Sequence, residues 1–111
     1  MKRIYVCSPY AGDIETNVKN AHRYCRFVAE CGNNPVASHL LYPQFLNDDS
    51  PSERQFGLEL GLDLLRVCDE LWCFGDRISD GMKDEIAKAE EWGITVRYSQ
   101  DCDVGCFPPS S

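Results

Sequence analysis

The sequence predicts an α/β fold, a three-layer α/β/α arrangement around a parallel, flavodoxin- or Rossmann-like sheet of four to five strands. Short apolar runs alternate along the chain with longer helical patterns, which is typical of strands joined by crossover helices. The runs are almost continuously apolar, as expected for strands covered on both faces. Polar turns containing Gly, Pro or Ser follow three of them. Sheets of this kind bind ligands beyond the carboxyl ends of their strands, so those turns are where a site is expected.

The first half of the chain contains two predicted strands and one helix. The run from Arg3 to Cys7 predicts the first strand, and the turn from Ser8 to Asp13 follows it. Thr16 is a suitable N-cap for a helix extending to about Cys31. A second strand is expected within residues 35–42, and the segment after it is the longest irregular connection.

The second helix carries apolar residues on all sides. Ser50, Pro51 and Glu53 predict its start, with Ser at the N-cap, Pro at N1 and Glu closing a capping box, and the helix extends to about Val67. A helix that is apolar all round is buried on both sides, which in a small protein indicates a subunit interface. We therefore expect a homodimer or a higher homo-oligomer. Asp63 falls on a side where burial is expected.

The third strand is predicted from Glu70 to Gly75, the third helix from Ser79 to Trp92 and the fourth strand from Ile94 to Tyr98. Residues 1–98 then form one domain. Residues 99–111 have no periodicity and are predicted to be a loose C-terminal tail.

Composition excludes several function classes. The net charge of −7 argues against nucleic acid or an anionic membrane as partner, because phosphate contacts need clustered Lys and Arg. No segment is long enough to span a bilayer, and no signal-peptide pattern occurs, so we expect a cytoplasmic protein. The seven cysteines include no C-x-x-C pair. Those in apolar runs are interpreted as small buried hydrophobes in a reducing cytosol, and we expect no metal site, with Cys102 and Cys106 forming at most a C-x-x-x-C.

One carboxylate occupies an unexpected position in the third helix. Helical spacing places Glu85 on the apolar side, between Ala89 and Trp92. The helix follows a strand and a small-residue turn, an arrangement that can bind an anion or a sugar hydroxyl. An acid directed toward the core beside such a turn is a candidate catalytic group. The alternative is a boundary residue that reaches solvent or pairs with Lys88 or Arg97.

A set of residues at ordered spacing resembles a known family. The set comprises Ile4-Tyr5-Val6-Cys7-Ser8-Pro9-Tyr10 with Gly12, then Asn17 and Ala21, then Cys68-Asp69-Glu70-Leu71-Trp72, and finally Ser79, Gly81, Met82, Glu85, Ile86 and Ala89. The pattern is similar to the nucleoside 2-deoxyribosyltransferase-like superfamily, especially its small uncharacterised bacterial and phage branch. The resemblance covers residues 3–98.

The resemblance implies roles for particular residues. Glu85 is implied as the nucleophile that attacks the anomeric carbon of the sugar, which fits the need of an oxocarbenium-like transition state for a carboxylate. Tyr10 is implied to stack on a nucleobase, although it can equally anchor its loop, and His39 is either a ligand contact or a core histidine. No cofactor is implied. The predicted substrate-binding residues are Ser8, Pro9, Tyr10, Gly12, His39, Ser79, Gly81 and Met82.

The sequence departs from the family pattern at one acid. The family usually has an aspartate eight residues before Asp69, and this chain has Gly61 there, with Asp63 two residues later. Asp63 either replaces the missing catalytic acid or has a structural role.

The resemblance therefore implies an N-glycosidase or deoxyribosyltransferase that cleaves the N-glycosidic bond of a small-molecule nucleoside or nucleotide. The alternative is a non-catalytic nucleotide or nucleotide-sugar binding protein, and a third possibility is a structural or interaction protein. The base, the sugar and the presence of a 5′-phosphate stay open. Arg77 is the nearest candidate for a phosphate contact.

Overall fold

A computed structural model describes residues 1–99 of the chain. The strands are β1 (Arg3–Cys7), β2 (Asn34–Val36), β3 (Glu70–Phe74) and β4 (Thr95–Ser99), and the helices are α1 (Ile14–Glu30), α2 (Pro51–Arg66) and α3 (Asp80–Glu91). Two single 3₁₀ turns, Ser38–Leu40 and Tyr42–Gln44, connect β2 to α2. The first residue of the predicted tail, Ser99, belongs to β4. The rest of the tail, including Cys102 and Cys106, lies outside the described residues.

The four strands form one parallel sheet in the order β2-β1-β3-β4. The chain moves outward from β1 to β2, then returns to the other side of β1 for β3 and β4. The order therefore reverses between β1 and β3, and a ligand crevice is expected there, at the carboxyl ends of these strands. The predicted fold class is confirmed, with four strands.

Helices cover both faces of the sheet, so each strand contributes alternate residues to two cores. Ile4, Val6, Trp72 and Phe74 pack with aromatic residues of α1 on one face. Tyr5, Cys7, Leu71, Cys73 and residues of α2 and α3 form the core on the other face. Because successive residues of a strand point to opposite faces, Tyr5 and Cys7 share the α3 side.

The predicted start of α1 is wrong by a few residues. Asp13, not Thr16, is the N-cap, and its carboxylate accepts hydrogen bonds from the Thr16 backbone and hydroxyl. Asp and Thr are both common N-caps, and Ile14, four residues before Val18, is the apolar residue that marks the earlier start. The second strand is also shorter than expected, since the backbone leaves the sheet after Val36 and makes the two 3₁₀ turns.

Helix α2 is covered on one side within the single chain, and burial of its other side in a subunit interface stays a prediction. Gly61 and Leu65 are buried, whereas Phe56, Leu58 and Val67 are exposed in this single chain. Leu60, Leu62 and Leu64 are half-buried, and Leu62 packs against the core. The predicted capping box is wrong, because the Glu53 carboxylate accepts from the Asn47 backbone N–H.

A charged cluster lies at the amino end of the sheet. Glu70 is buried at the start of β3, where its carboxylate accepts from the indole of Trp72, the ammonium of Lys2 and the guanidinium of Arg97 at 2.8 to 2.9 Å. Burial opposes ionisation of this carboxyl, but the three hydrogen bonds outweigh it and lower the pKa of Glu70 to about 2. Glu70 is therefore an ionised structural acid.

The helices among residues 1–99 include none long and apolar enough to cross a membrane. Cys7, Cys68 and Cys73 are buried and Cys25 is half-buried, as their apolar surroundings predict.

Candidate active site

Three loops meet at the carboxyl edge of the parallel sheet. They are the β1–α1 loop (residues 8–13), the β2–α2 connection (37–50) and the β3–α3 loop (75–79). The Asn17 side chain donates to the backbone carbonyls of Tyr10 and Ala11, which fixes the first loop. Gly75 has a φ of 101° and a side chain there would lie 3.4 Å from Pro9, so the first and third loops approach closely.

Glu85 lies at the centre of this edge. Helix α3 holds its carboxylate over β1, where Oε2 accepts a hydrogen bond from the Tyr5 hydroxyl and Oε1 accepts from the Cys7 thiol at 3.4 Å. Both donors are neutral groups from the same face of one strand. The helical spacing therefore identified the direction of Glu85 correctly.

The surroundings of Glu85 shift its ionisation toward higher pH. Burial raises the pKa of Glu85, and the hydrogen bonds from Tyr5 and Cys7 only partly offset that effect. Burial, together with the neighbouring Glu85 charge, raises the pKa of the Tyr5 phenol, so Tyr5 stays protonated. A hydrogen bond with Cys73 and burial raise the pKa of the Cys7 thiol, which also remains a neutral donor.

The two cations suggested as partners of Glu85 are engaged elsewhere. Arg97 donates to Glu70, and Lys88 pairs with Glu91 at 3.0 Å. Within residues 1–99, Glu85 forms no ion pair with a basic side chain. The alternative in which Glu85 is a salt-bridged boundary residue is therefore wrong for this part of the chain.

A second layer of contacts lies behind Tyr5. The Ser38 hydroxyl, in the first 3₁₀ turn, is buried and lies 2.6 Å from the Tyr5 hydroxyl. Gly61 of α2 faces the same two groups, and a Cβ added there would lie 3.4 Å from each oxygen. The helix therefore approaches the cluster at a residue with no side chain.

Asp63 does not reach this cluster. It is exposed on the outer side of α2 in the single chain, so its predicted burial stays a prediction about a subunit interface. Two residues along a helix rotate the side chain by about 200°, so Asp63 and Gly61 face nearly opposite directions. The position that faces the site is the one where this chain has glycine.

Ser8 and His39 form a second polar pair near the first loop. The Ser8 hydroxyl and His39 Nε2 are 2.9 Å apart, and the Tyr10 ring meets the imidazole edge-on with centroids 6.3 Å apart. Burial lowers the pKa of His39 to about 4, so the imidazole is neutral at physiological pH. The structure thus brings together three of the predicted substrate-binding residues.

The predicted residues of the third loop differ in accessibility. Ser79 is the N-cap of α3 and accepts from the Met82 backbone N–H, and Gly81 is exposed with open space around it. Met82 is buried in the core, and its sulfur accepts from the Ser79 backbone N–H at 3.4 Å. Arg77 is exposed, and its guanidinium lies 3.8 Å from the position of a Cβ on Gly12. Gly12 and Arg77 therefore join the first and third loops at the rim.

Sequence reasoning overlooked Tyr5, Cys7 and Ser38 as parts of the site. Tyr5 had a usable signal, since a phenol inside a fully buried strand needs a hydrogen-bond partner. Ser38 lies in the turn of residues 38–46 that was expected at the carboxyl edge, but nothing in the pattern distinguished it from its neighbours there.

An open groove of about 520 Å³ lies elsewhere, between α2 and α3. Its lining includes Leu58, Leu62, Asp84 and Lys88 but not Glu85. It is a surface groove on the outer side of the helices and is distinct from the cluster around Glu85.

Comparisons with known proteins agree with this fold. A family model described as a domain of unknown function, DUF7768, matches residues 2–99. A search of curated proteins found no match. A 2-deoxyribosyltransferase structure from Bacillus psychrosaccharolyticus is similar with a TM-score of 0.71 and 18% identity, over 86% of this chain and 70% of that one. The CMP N-glycosidase BcmB of Clostridium botulinum is similar with a TM-score of 0.55 and 22% identity, over 87% of this chain and 67% of that one. These likenesses show that the chain shares the fold of both proteins.

Proposed function

The chain belongs to the DUF7768 family, and we propose that this member cleaves the N-glycosidic bond of a nucleoside or nucleotide, with Glu85 as nucleophile. The observation that carries the proposal is the setting of Glu85. Its carboxylate lies at the reversal point of the strand order and is held by two neutral donors. A carboxylate without a cation keeps its electron density available for an electron-poor carbon.

The reaction has two steps. A Glu85 oxygen attacks C1′ of the sugar as the C1′–N bond breaks, and the bonding electron pair leaves on the base, which takes a proton from water. The product is a glycosyl ester of Glu85. In hydrolysis, water then attacks C1′, gives up a proton and releases the carboxylate; in transfer, a second base takes the place of water.

The chain's own residues supply orientation. The Tyr5 and Cys7 donors fix the carboxylate plane, so that the nucleophile is in position before substrate binds. Ser8, Pro9, Tyr10 and Gly12 form the base side of the proposed site, with His39 behind them as a neutral hydrogen-bonding group.

The sugar side is proposed at the start of α3. The Ser79 hydroxyl and the unobstructed backbone at Gly81 suit a sugar hydroxyl or a 5′ substituent, and buried Met82 packs beneath them. Asp63 as the acid that protonates the base receives no support from its exposed position.

The similar structures support the substrate class. One is named for 2-deoxyribosyl transfer and the other for cleavage of CMP. Both activities break the bond between a pentose and a base. At identities of 18% and 22%, these likenesses are evidence for the fold only. Assays must therefore establish which base is released and whether the substrate needs a 5′-phosphate.

Glu85→Gln tests the proposal. Chromatography of incubations with ribo- and deoxyribonucleosides and their 5′-monophosphates should show free base with the wild-type protein. The Glu85→Gln variant should release base at least about 10³-fold more slowly, because the glutamine amide has the shape of the carboxylate but is not a nucleophile. Asp84→Asn is the matched control, since Asp84 is the exposed neighbouring carboxylate on α3 and should retain activity. A panel without base release, or equal rates in both variants, would refute the proposal.

A non-catalytic nucleotide-binding role is the second candidate, and Gly61 is the observation that favours it. The residue of α2 that faces Tyr5 and Ser38 is a glycine and therefore has no carboxyl group to protonate the base. In this case nucleotides should raise the melting temperature in a thermal-shift titration without any product. Observed turnover would eliminate this candidate.

The predicted homodimer remains a proposal, supported by the exposed Phe56 and Leu58 on α2. Light scattering should give the mass of two chains, and Phe56→Ser with Leu58→Ser should give one. A cytoplasmic location is proposed from the free cysteines, which fit a reducing compartment.

A further inference from the structure

Ser38 is the polar residue of the cluster that the proposed reaction does not use. It is buried at the end of the backbone segment that leaves the sheet after β2. Its hydroxyl lies 2.6 Å from the Tyr5 hydroxyl, and Tyr5 in turn donates to Glu85. The three side chains therefore form a continuous hydrogen-bonded chain from the 3₁₀ turn to the carboxylate.

The direction of this chain follows from counting protons. An ionised Glu85 can only accept, so Tyr5 gives its single hydroxyl proton to Glu85 Oε2. The Tyr5 oxygen can then only accept from Ser38, so the serine is the donor in the 2.6 Å contact. Each hydroxyl thus polarises the next one toward Glu85.

We propose that Ser38 is a positioning residue that sets the charge and orientation of Glu85 through the Tyr5 hydroxyl. The role of Ser38 in catalysis rests on the proposed function. Its effect on the ionisation of Glu85 can be measured without turnover. Donation into the phenol oxygen makes Tyr5 a stronger donor to the carboxylate. That stabilises the ionised, attacking form of Glu85 against its burial.

Because Gly61 has no side chain, no group from α2 competes for the hydrogen bonds between Ser38, Tyr5 and Glu85. Helix α2 meets the Ser38 and Tyr5 hydroxyls at an α-carbon, so neither hydroxyl has a side-chain partner on α2. Ser38 and Tyr5 thus direct their protons along one path.

Among the described residues, the other titratable groups near Glu85 come from β1, β3 and α3. From β1 come Tyr5 and the Cys7 thiol, from β3 the Cys73 thiol, and from α3 the exposed carboxylate of Asp84, whose charge raises the pKa of Glu85. Helix α2 presents Gly61 and Leu65 on this side and no charge. None of these groups changes when Ser38 is replaced.

The test is a titration of Glu85 in Ser38→Ala. The ¹³C resonance of the Glu85 carboxyl, assigned by its loss in Glu85→Gln, reports ionisation directly. Loss of the serine donor should shift the Glu85 titration upward by about 0.5 to 1 pH unit. With turnover, the acidic limb of kcat/KM should move by the same amount, and kcat should fall several-fold. Ser38→Thr keeps the hydroxyl and should restore both.

A double-variant comparison separates the relay from a packing role. Tyr5→Phe removes the connection, so adding Ser38→Ala to it should shift the titration no further. An unmoved titration in Ser38→Ala, or additive shifts in the double variant, would overturn the proposal even if stability falls. The methyl group added by Ser38→Thr could fail to fit, in which case Ser38→Thr would have the same low melting temperature as Ser38→Ala. The comparison of Tyr5→Phe with the double variant then decides between the relay and a packing role. A shifted titration in a protein without base release would refute the proposed function and leave the relay intact.

Discussion

Glu70 and Glu85 are two acids at opposite ends of one sheet, and their partners differ in charge. Glu70, at the amino end, is bonded to an ammonium, a guanidinium and an indole, and its pKa falls to about 2. Glu85, at the carboxyl end, is bonded to a phenol and a thiol, and burial raises its pKa. Cations make a buried carboxylate stable and unreactive, whereas neutral donors orient it without neutralising it. The comparison distinguishes a structural acid from a candidate nucleophile in the same small protein.

The largest expected difference between the two acids is in the pH dependence of stability. The folded pKa of Glu70 lies below its unfolded value of 4.5, so its contribution is complete above about pH 4.5 and is lost as pH falls toward about 2. The difference between these two pKa values corresponds to about 3 to 4 kcal/mol as an upper value. Glu85 has the opposite sign, because its raised pKa contributes stability at low pH that is lost as pH rises through the folded pKa.

Urea unfolding from pH 2 to pH 8 measures both effects. The free energy of unfolding of Glu70→Gln should lack the acid-side loss seen in wild type. That of Glu85→Gln should improve relative to wild type as pH rises. Curves that run parallel to wild type in both variants would remove the contrast between the two acids.

The next largest effect is the cost of Glu70→Gln at neutral pH. The amide leaves Lys2 and Arg97 without their carboxylate, and because both cations are partly exposed, the cost should be about 2 kcal/mol rather than that of a fully buried pair. Base release should stay within a few-fold of wild type after correction for folded protein. A 10³-fold loss of activity would mean that the amino end of the sheet contributes to the reaction.

The smallest effect is expected from Gly61→Ala, which sharpens the comparison at the Glu85 end. Its methyl would lie 3.4 Å from the Tyr5 and Ser38 oxygens, a tight contact that a small shift relieves. Alanine also favours the helix by up to about 1 kcal/mol, so stability should change by less than about 1 kcal/mol while base release falls several-fold. Gly57→Ala on the same helix is the control, since its methyl would meet only the flexible end of Leu46 at 3.5 Å. Equal activity in both variants would show that the space beside Tyr5 is not critical.

The fold was predictable because its signals are local. Apolar runs and helix ends identified β1, β3, α3 and the layer order, and the side of α3 that carries Glu85 followed from helical spacing. The features that could not be predicted depended on contacts between distant segments. Whether the apolar residues of α2 are covered depends on what packs against it, and Ser38 meets Tyr5 only because the chain leaves the sheet after Val36. Asp63 lies two positions from Gly61 on α2 and so faces away from the cluster, and the direction of Gly61 depends on how α2 packs.

The hydrogen bond between Tyr5 and Glu85 joins residues 80 positions apart in the sequence. Closing a loop of that length costs conformational entropy, which other contacts must offset. The pairing of β1 with β3 brings the two ends of this loop together, because it joins Tyr5 to Leu71 in the same sheet. The position of the Glu85 carboxylate therefore depends on the sheet as a whole and not on helix α3 alone.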